Sequence, residues 1–217
     1  MGRIIVGGLP ITSASAGFAA GLGLGSFGTA VAATRQDSFM PDLSAFAITH
    51  KWPARHPDRI QLYSLPTPNG VKVSIALEEM GLPYEPHLVR FETNDQTSPE
   101  FLSLNPNNKI PAILDPNGPG GQPLALFESG AILLQLAEKT GQLMPQDAAV
   151  RYQTIQWLMW QMGSAPFLGG GFGQFYAYAP TKQEYPINRY AMEVKRQMDV
   201  LDRRLAAGDG HHGTEAD

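Results

Sequence analysis

The middle of the chain changes repeatedly between two spacings of hydrophobic residues. Four short and mainly apolar stretches, at residues 60–65, 84–91, 109–115 and 124–127, have the length and composition of strands. Between the first two, apolar residues recur every third or fourth position over 71–80, which is the period of an amphipathic helix. The predicted buried stripe of that helix consists of Val73, Ala76, Leu77 and Met80.

Two further helices are predicted in this half of the chain. A short one follows Ser98, a good N-cap, and has Pro99 at its first position. The other begins at Glu128-Ser129 and ends at Gly141. The order β-α-β-α-β-β-α over residues 60–143 predicts an α/β domain of thioredoxin-like topology, with two parallel strands followed by an antiparallel hairpin.

In the second half of the chain, hydrophobic residues follow only the spacing of helices. Helices are predicted at 147–162 and 184–205, with an interruption at the glycine-rich stretch 163–173. Their predicted buried residues are Ile155, Leu158, Met159, Met162, Ile187, Tyr190, Ala191, Val194, Met198, Leu201 and Leu205. The predicted fold is therefore an α/β thioredoxin-like N-terminal domain followed by an all-α C-terminal domain at 147–205, with a tail at 206–217.

Residues 1–59 are predicted to be an N-terminal extension. The part at 1–39 is rich in Gly, Ala and Ser and almost uncharged. A secretory signal is one interpretation. We favour the other, in which Met40 is the natural start and the preceding segment is disordered or a start-site artefact. The pattern G-x-G-x-x-G at 23–28 has no strand before it and no helix after it, so we interpret it as a chance match.

Composition narrows the classes of function. Hydrophobic residues make up 43%, charged residues 17% and the net charge is -4, which favours a cytoplasmic globular protein without nucleic-acid or membrane partners. The 217 residues include no cysteine, which excludes disulfides, thiolate metal sites and a protein-thiol nucleophile. The pair at 211–212, His-His, stands in a polar tail without further ligands at helical spacing, so no metal is expected.

The turn between the first strand and the first helix contains two polar residues of chemical interest. Thr67 and Asn69 stand where a thiol would lie over the helix N-terminus, and a hydroxyl and an amide can both donate hydrogen bonds to a thiolate. The alternative is that Pro-Thr-Pro-Asn-Gly serves turn geometry alone. Since the chain has no cysteine, any thiol bound there belongs to a ligand.

Two other segments enter the same region of the predicted domain. Pro111 opens the third strand, and a cis Ile110-Pro111 bond would turn the Ile110 backbone toward an extended peptide ligand; an ordinary trans edge proline fits the sequence equally well. Glu128 and Ser129 begin a helix, where free N–H groups favour a carboxylate ligand and the acid can bind an ammonium group. Plain helix capping is the alternative there.

With these three segments in this order, the chain resembles the cytosolic glutathione transferases, and among them the bacterial nu-class, disulfide-bond reductase type. The resemblance spans roughly residues 43–205. It rests on the segments LYSLPTPNGVKVSIALEE, PEFLSLNPNNKIPAI, LFESGAILLQLAEKTG and APFLGGGFGQFYAYAP, with INRY and LDRRL behind them.

The resemblance implies a glutathione site and assigns roles in it. Thr67 and Asn69 would face the glutathione sulfur and act as the catalytic residues. Gln96 and Asn107 or Lys109 would lie near the glycyl and cysteinyl parts, and Ile110 would pair with the glutathione backbone across cis-Pro111. Glu128 and Ser129 would hold the γ-glutamyl end. Arg189 would reach glutathione from the helical domain, in the same chain or across a dimer interface.

It also implies an activity. The expected function is glutathione-dependent reduction of small disulfides by two glutathione thiols, with no protein cysteine and no metal, in a homodimer if the helical domain suffices. Conjugation of glutathione to electrophiles and organic peroxide reduction are alternatives, as are a glutathione-binding module without turnover and an inactive fragment.

Two departures from the family pattern stand out. Relatives often have histidines where this chain has Gln174 and Ala177, so any pocket role of those histidines is absent. Relatives also continue for many tens of residues after LDRRL, so the chain resembles a C-terminally truncated member. We therefore expect apolar faces of the helices at 148–162 and 184–205 to be exposed.

Overall fold

A computed structural model describes residues 42–208, and within them four strands form one mixed sheet. The strands are β1 (Ile60–Ser64), β2 (Tyr84–Leu88), β3 (Ala112–Asp115) and β4 (Leu124–Phe127). The sheet order is β2-β1-β3-β4. β1 pairs in parallel with β2 and antiparallel with β3, which pairs antiparallel with β4. The predicted thioredoxin-like topology is confirmed; the expectations for 1–39 and for the paired histidines at 211–212 concern residues outside the described range.

Helices surround the sheet and then continue beyond it. They are α1 (Ile48–Lys51), α2 (Pro68–Glu79), α3 (Pro99–Leu104), α4 (Ser129–Thr140), α5 (Ala148–Pro166), a π-helix (Phe167–Tyr178) and α6 (Glu184–Gly208). The predicted N-cap at Ser98 is confirmed, because its side chain accepts the N–H of Phe101. α4 ends at Gly141 as predicted, and the glycine adopts the left-handed conformation with a φ of 68°.

Several predicted boundaries are wrong. β2 ends three residues before the predicted end and β3 begins three residues after the predicted start, and two helix boundaries differ as well. α2 begins at Pro68, three residues before the predicted start, because the hydroxyl of Thr67 accepts the N–H of Gly70 and caps the helix. The predicted interruption at 163–173 is absent, since α5 continues to Pro166 and passes directly into the π-helix. There Gly171 packs on the ring of Tyr190 so closely that a Cβ would lie 2.5 Å from Cδ1, and this packing outweighs the weak helix preference of glycine.

The sheet has an apolar core on each face. One core packs α2 and α4 against the sheet and contains the whole predicted stripe of α2. The other packs α1 and α3 on the opposite face. Trp52 makes edge-to-face contacts there with Tyr63 and Phe101, and Leu43 is buried. Apolar residues of 43–54, a segment predicted to be part of an extension, thus contribute to the domain core, and Tyr63 of β1 is fully buried.

Side chains of the helical half are less buried than those of the thioredoxin-like half. α5 has no fully buried residue, and Met159, predicted to be buried, is 47% exposed. On α6, Met198, Leu201 and Leu205 are exposed as well, because no other segment within 42–208 packs over that face. The prediction of burial was wrong at these four positions, and the expectation of exposed apolar helix faces is confirmed. No helix in the described part of the chain is both long and apolar enough to cross a membrane.

Candidate active site

The turn from β1 into α2 presents a hydroxyl and an amide at a helix N-terminus. Thr67 is extended, and its Oγ1 accepts the N–H of Gly70 at 3.3 Å, so its own hydroxyl hydrogen remains available to donate. Asn69 is exposed at the second helical position. Gly70 is required here, because a Cβ would lie 2.3 Å from the carbonyl oxygen of Leu65 and from Ser64 Oγ. The turn can therefore hold and polarise a thiolate beside the positive end of the helix dipole.

A cavity of about 350 Å³ opens beside this turn. It is lined by Thr67, Asn69, Phe91, Gln96, Asn108, Lys109 and Ile110. Gln96 lies on a tight turn that Asp95 anchors, since the Asp95 carboxylate accepts the N–H of Arg90 at 2.9 Å and pairs with Lys51 at 2.8 Å. The Oε1 atom of Gln96 is buried and has no protein donor. An unpaired acceptor in a cavity wall fits a ligand that brings an N–H group.

The loop between α3 and β3 forms another part of the cavity wall, and the buried side chain of Asn105 holds its backbone. The amide of Asn105 donates to the carbonyl oxygen of Lys109, and its Oδ1 accepts the N–H of Asn107 at 2.9 Å. Asn108 adopts a φ of 49° and lines the cavity, whereas Asn107 lines no cavity of the site. Asn105 and Asn108 were missed; the run Asn-Pro-Asn-Asn ahead of Lys-Ile-Pro was the available signal.

A second, smaller cavity of about 60 Å³ joins the three predicted segments. Its walls are Asn69, Asn105, Lys109, Ile110, Pro111, Glu128 and Ser129. The Ile110-Pro111 peptide bond is cis, which decides between the two alternatives that the sequence left open. Of the ten predicted site residues, eight therefore line these two neighbouring cavities.

Glu128 occupies an unusual backbone position at the start of α4. Its φ is 69° and its ψ is 112°, a left-handed conformation that costs a non-glycine residue about 1–3 kcal/mol. Its carbonyl oxygen accepts the N–H of Ile132 at 3.0 Å, and its side chain is exposed at the cavity. Ser129 beside it is 6% exposed. A carboxylate beside free helix N–H groups offers separate partners for a ligand's cation and anion.

Arg189 lies elsewhere. It lines a separate cavity of about 310 Å³ in the helical half, together with aromatic residues of the π-helix and of α6. Those aromatic residues are Phe167, Phe175, Tyr185 and Tyr190. Within one chain, Arg189 is not brought to the cavities beside Thr67, and its role stays a prediction.

Comparison with known proteins identifies relatives of the chain. The family described as "Glutathione S-transferase, N-terminal domain" matches residues 59–138. Disulfide-bond oxidoreductase YghU of Escherichia coli is 54% identical over 158 residues, which are 70% of this chain and 54% of that protein. Disulfide-bond oxidoreductase YfcG of the same organism is 49% identical over 148 residues, 67% of this chain and 68% of that protein. The chain spans little more than half the length of the first curated relatives it matches.

Solved structures are similar as well. A glutathione transferase of Burkholderia graminis, with two glutathione molecules bound per subunit, is 67% identical with a TM-score of 0.75, covering 77% of this chain and 70% of that one. A glutathione transferase of Pseudomonas putida, with one glutathione disulfide bound per subunit, is 65% identical with a TM-score of 0.74, covering 76% and 73%.

Proposed function

This chain belongs to the glutathione transferase family, and from that premise we propose that it is a glutathione-dependent disulfide-bond reductase. Two relatives that are about half identical to it are named disulfide-bond oxidoreductases. Similar structures hold two glutathione molecules or one glutathione disulfide in each subunit, which are the reduced and oxidised forms of the same pair of thiols.

The observation that most directly supports the proposal is the chemistry of the β1–α2 turn. Thr67 and Asn69 supply hydrogen-bond donors at a helix N-terminus, and the chain has no cysteine. Donors in that position lower a thiol's pKa and so raise its thiolate fraction, and the thiolate is the species that attacks a disulfide. The thiol must come from glutathione, because the protein has none to offer.

The proposed reaction consumes two glutathione molecules. The thiolate of the first attacks one sulfur of the substrate disulfide, forms a mixed disulfide and releases one substrate thiolate, which takes up a proton. The thiolate of the second attacks the glutathione sulfur of the mixed disulfide, forms glutathione disulfide and releases the other substrate thiolate, which is protonated in turn. The substrate gains two electrons and two protons, and the two glutathione thiols supply the electrons as well as the protons.

The remaining site residues receive their roles from the cavities they line. Gln96, Lys109 and the Ile110 backbone at cis-Pro111 would hold the cysteinyl and glycyl parts of glutathione. Glu128 and Ser129 would hold the γ-glutamyl end. We assign Asn108 to the role predicted for Asn107, because its side chain lies at the cavity wall.

Homodimerisation in the cytoplasm is the other part of the proposal. The exposed apolar residues of α6, among them Met198 and Leu205, are compatible with a subunit contact. Arg189 would reach glutathione only from a second chain, since its cavity is separate from the site in one chain. Sedimentation equilibrium checks the homodimer independently of turnover: the full chain should sediment as a dimer, and Met198→Glu should shift it toward the monomer.

Glutathione-dependent reduction of hydroxyethyl disulfide by the purified full chain tests the activity. Asn69→Ala should lower kcat/KM by about 10–100-fold, in the range of a lost transition-state donor. Asn117→Ala is the matched control, because it removes an exposed asparagine outside the site. A folded chain without turnover, or equal rates for the two variants, would overturn the proposal.

A further inference from the structure

Three helices meet at the side chain of Met162 in α5, directly behind the γ-glutamyl end of the site. The hydroxyl of Ser129, at the start of α4, lies 3.6 Å from Met162 Sδ. The amino group of Lys72, in the second turn of α2, lies 3.8 Å from the same sulfur. The hydroxyl and the amino group are therefore neighbours, although their residues are far apart in sequence.

The amino group of Lys72 is held in place. It donates to Gln161 Oε1 at 2.9 Å, and Gln161 is the residue directly before Met162 in α5. The Lys72 side chain is only partly exposed. Burial lowers the pKa of Lys72, and the negative charge of Glu128 acts in the opposite direction and favours the ammonium form. A lysine with a fixed amino group beneath a ligand cavity differs from an ordinary solvated lysine, whose head group moves freely.

Ser129 therefore lies between a negatively charged group and a positively charged group. The carboxylate of Glu128 faces the cavity, and the Lys72 amino group lies behind Ser129 near the positive N-terminus of α4. The γ-glutamyl end of glutathione carries both an α-ammonium and an α-carboxylate. Such a zwitterion binds best where one positive and one negative group are separated by a similar distance, because each ligand charge then meets its opposite.

Resting on the proposed function, we infer that Lys72 is a positioning and specificity residue for the γ-glutamyl end of glutathione. Its ammonium group attracts the α-carboxylate toward Ser129 and the α4 N-terminus, which leaves Glu128 to pair with the α-ammonium. Gln161 and Met162 fix that positive charge, so α5 of the helical half contributes to ligand recognition without lining the cavity.

A purely structural role makes a different prediction. If Lys72 only ties α2 to α5, its loss loosens the whole site and weakens every ligand equally. If it attracts the α-carboxylate, its loss weakens only ligands that have this group. An analogue in which 4-aminobutyryl replaces the γ-glutamyl residue lacks the α-carboxylate and keeps the rest of glutathione, so it separates the two roles.

Calorimetric titration of the full chain with glutathione and with this analogue is the test. Lys72→Met keeps the apolar stem, and we expect it to raise the Kd of glutathione on the order of tenfold and to leave that of the analogue unchanged. Lys72→Arg keeps the charge and should stay within about threefold of wild type. Gln161→Leu frees the ammonium group and should weaken glutathione about two- to fivefold, again without an effect on the analogue.

Several results would overturn the inference. Equal weakening of both ligands by Lys72→Met indicates a structural tie, and unchanged glutathione affinity indicates no role. Should Lys72→Met fail to fold, the ratio of the two affinities in Gln161→Leu decides the question in the same way. A chain that binds glutathione but reduces no disulfide refutes the proposed function and leaves this inference intact; a chain that binds neither ligand refutes both.

Discussion

The side chain of Met162 in α5 covers Gly130 in α4 so closely that a Cβ on Gly130 would lie 2.9 Å from Met162 Cγ and 3.0 Å from Sδ. Gly130 is buried and follows Ser129, whose hydroxyl contacts the same sulfur. This contact joins the thioredoxin-like half to the helical half at the position where the predicted γ-glutamyl site begins. Small changes in the packing of α5 are therefore expected to alter the affinity for the ligand.

Gly130→Ala tests that contact. Alanine favours the helix by about 1 kcal/mol over glycine, but forcing Met162 aside costs about 1–3 kcal/mol. We expect a net loss of stability of about 1 kcal/mol in urea unfolding, together with weaker glutathione binding, because Ser129 moves with its neighbour. In the double variant Gly130→Ala/Met162→Ala the added methyl group has space, so the cost of the alanine should disappear. Strictly additive effects of the two substitutions would contradict this packing.

Thr67→Val tests the role of the hydroxyl at the α2 N-terminus. Valine has nearly the same shape but neither caps Gly70 nor donates to a thiolate, so we expect a loss of about 1 kcal/mol of stability and a fall in kcat/KM of about 10–100-fold. The pKa of the glutathione thiol in the pH–rate profile should rise, because a donor to the thiolate is gone. Thr67→Ser keeps the hydroxyl and should preserve both quantities; an unshifted profile in the valine variant would refute the role.

The buried carboxylate of Asp115, at the end of β3, forms an ion pair with the partly exposed amino group of Lys139 in α4. The Asp115 carboxylate is 1% exposed and accepts from Lys139 at 2.9 Å and 3.1 Å and from Gln135 at 3.0 Å. Lys139→Met should lower the free energy of unfolding by about 3 kcal/mol, since it leaves a buried charge without its partner. Arg151→Met is the matched control. It breaks the pair with exposed Glu138 and should cost less than about 1 kcal/mol. Similar losses in the two variants would argue against burial as the cause.

The parts of the fold that follow local rules were predictable from the sequence. The stripe of α2, the Ser98 cap and the succession of strands and helices along the chain arise from spacing and capping within short windows. The π-helix was not predictable, because glycine-rich segments usually interrupt helices, and only the distant ring of Tyr190 makes the glycine at 171 necessary.

The candidate site likewise has residues that local sequence predicts and residues that only distant contacts explain. The sequence placed Thr67, Pro111 and Glu128 near one another because each occupies a fixed point of a known topology. It missed Lys72, since a lysine off the apolar stripe normally faces solvent, and its partner Gln161 is 89 residues away. The run Asn-Pro-Asn-Asn signals a turn in the α3–β3 loop, but it does not tell which asparagine lines the cavity, since that depends on the hydrogen bond of the buried Asn105 side chain to the Asn107 N–H.

Glu85 should make the stability of the protein depend on pH. The side chain, 2% exposed on β2, accepts the N–H of His56 at 2.8 Å, the N–H of Arg55 at 3.0 Å and Arg55 Nε at 3.1 Å. Burial raises the pKa of Glu85, but these donors outweigh it and hold the pKa below the ordinary value of 4.5. Because the folded state has the lower pKa, the carboxylate stabilises the fold above about pH 4.5, and this contribution is lost as the pH falls through the folded pKa.

Glu85→Gln removes the charge and leaves the shape. At pH 7 we expect it to cost about 1.5–3 kcal/mol, the range for a hydrogen bond to a charged acceptor. Below about pH 4.5 the gap to wild type should narrow, because protonation progressively removes the same charge from the wild-type protein. Urea unfolding of both proteins at several pH values measures the gap, with Glu92→Gln as an exposed control that should show none. A gap that stays constant across this range would mean that the carboxylate charge does not stabilise the link between β2 and the segment before β1.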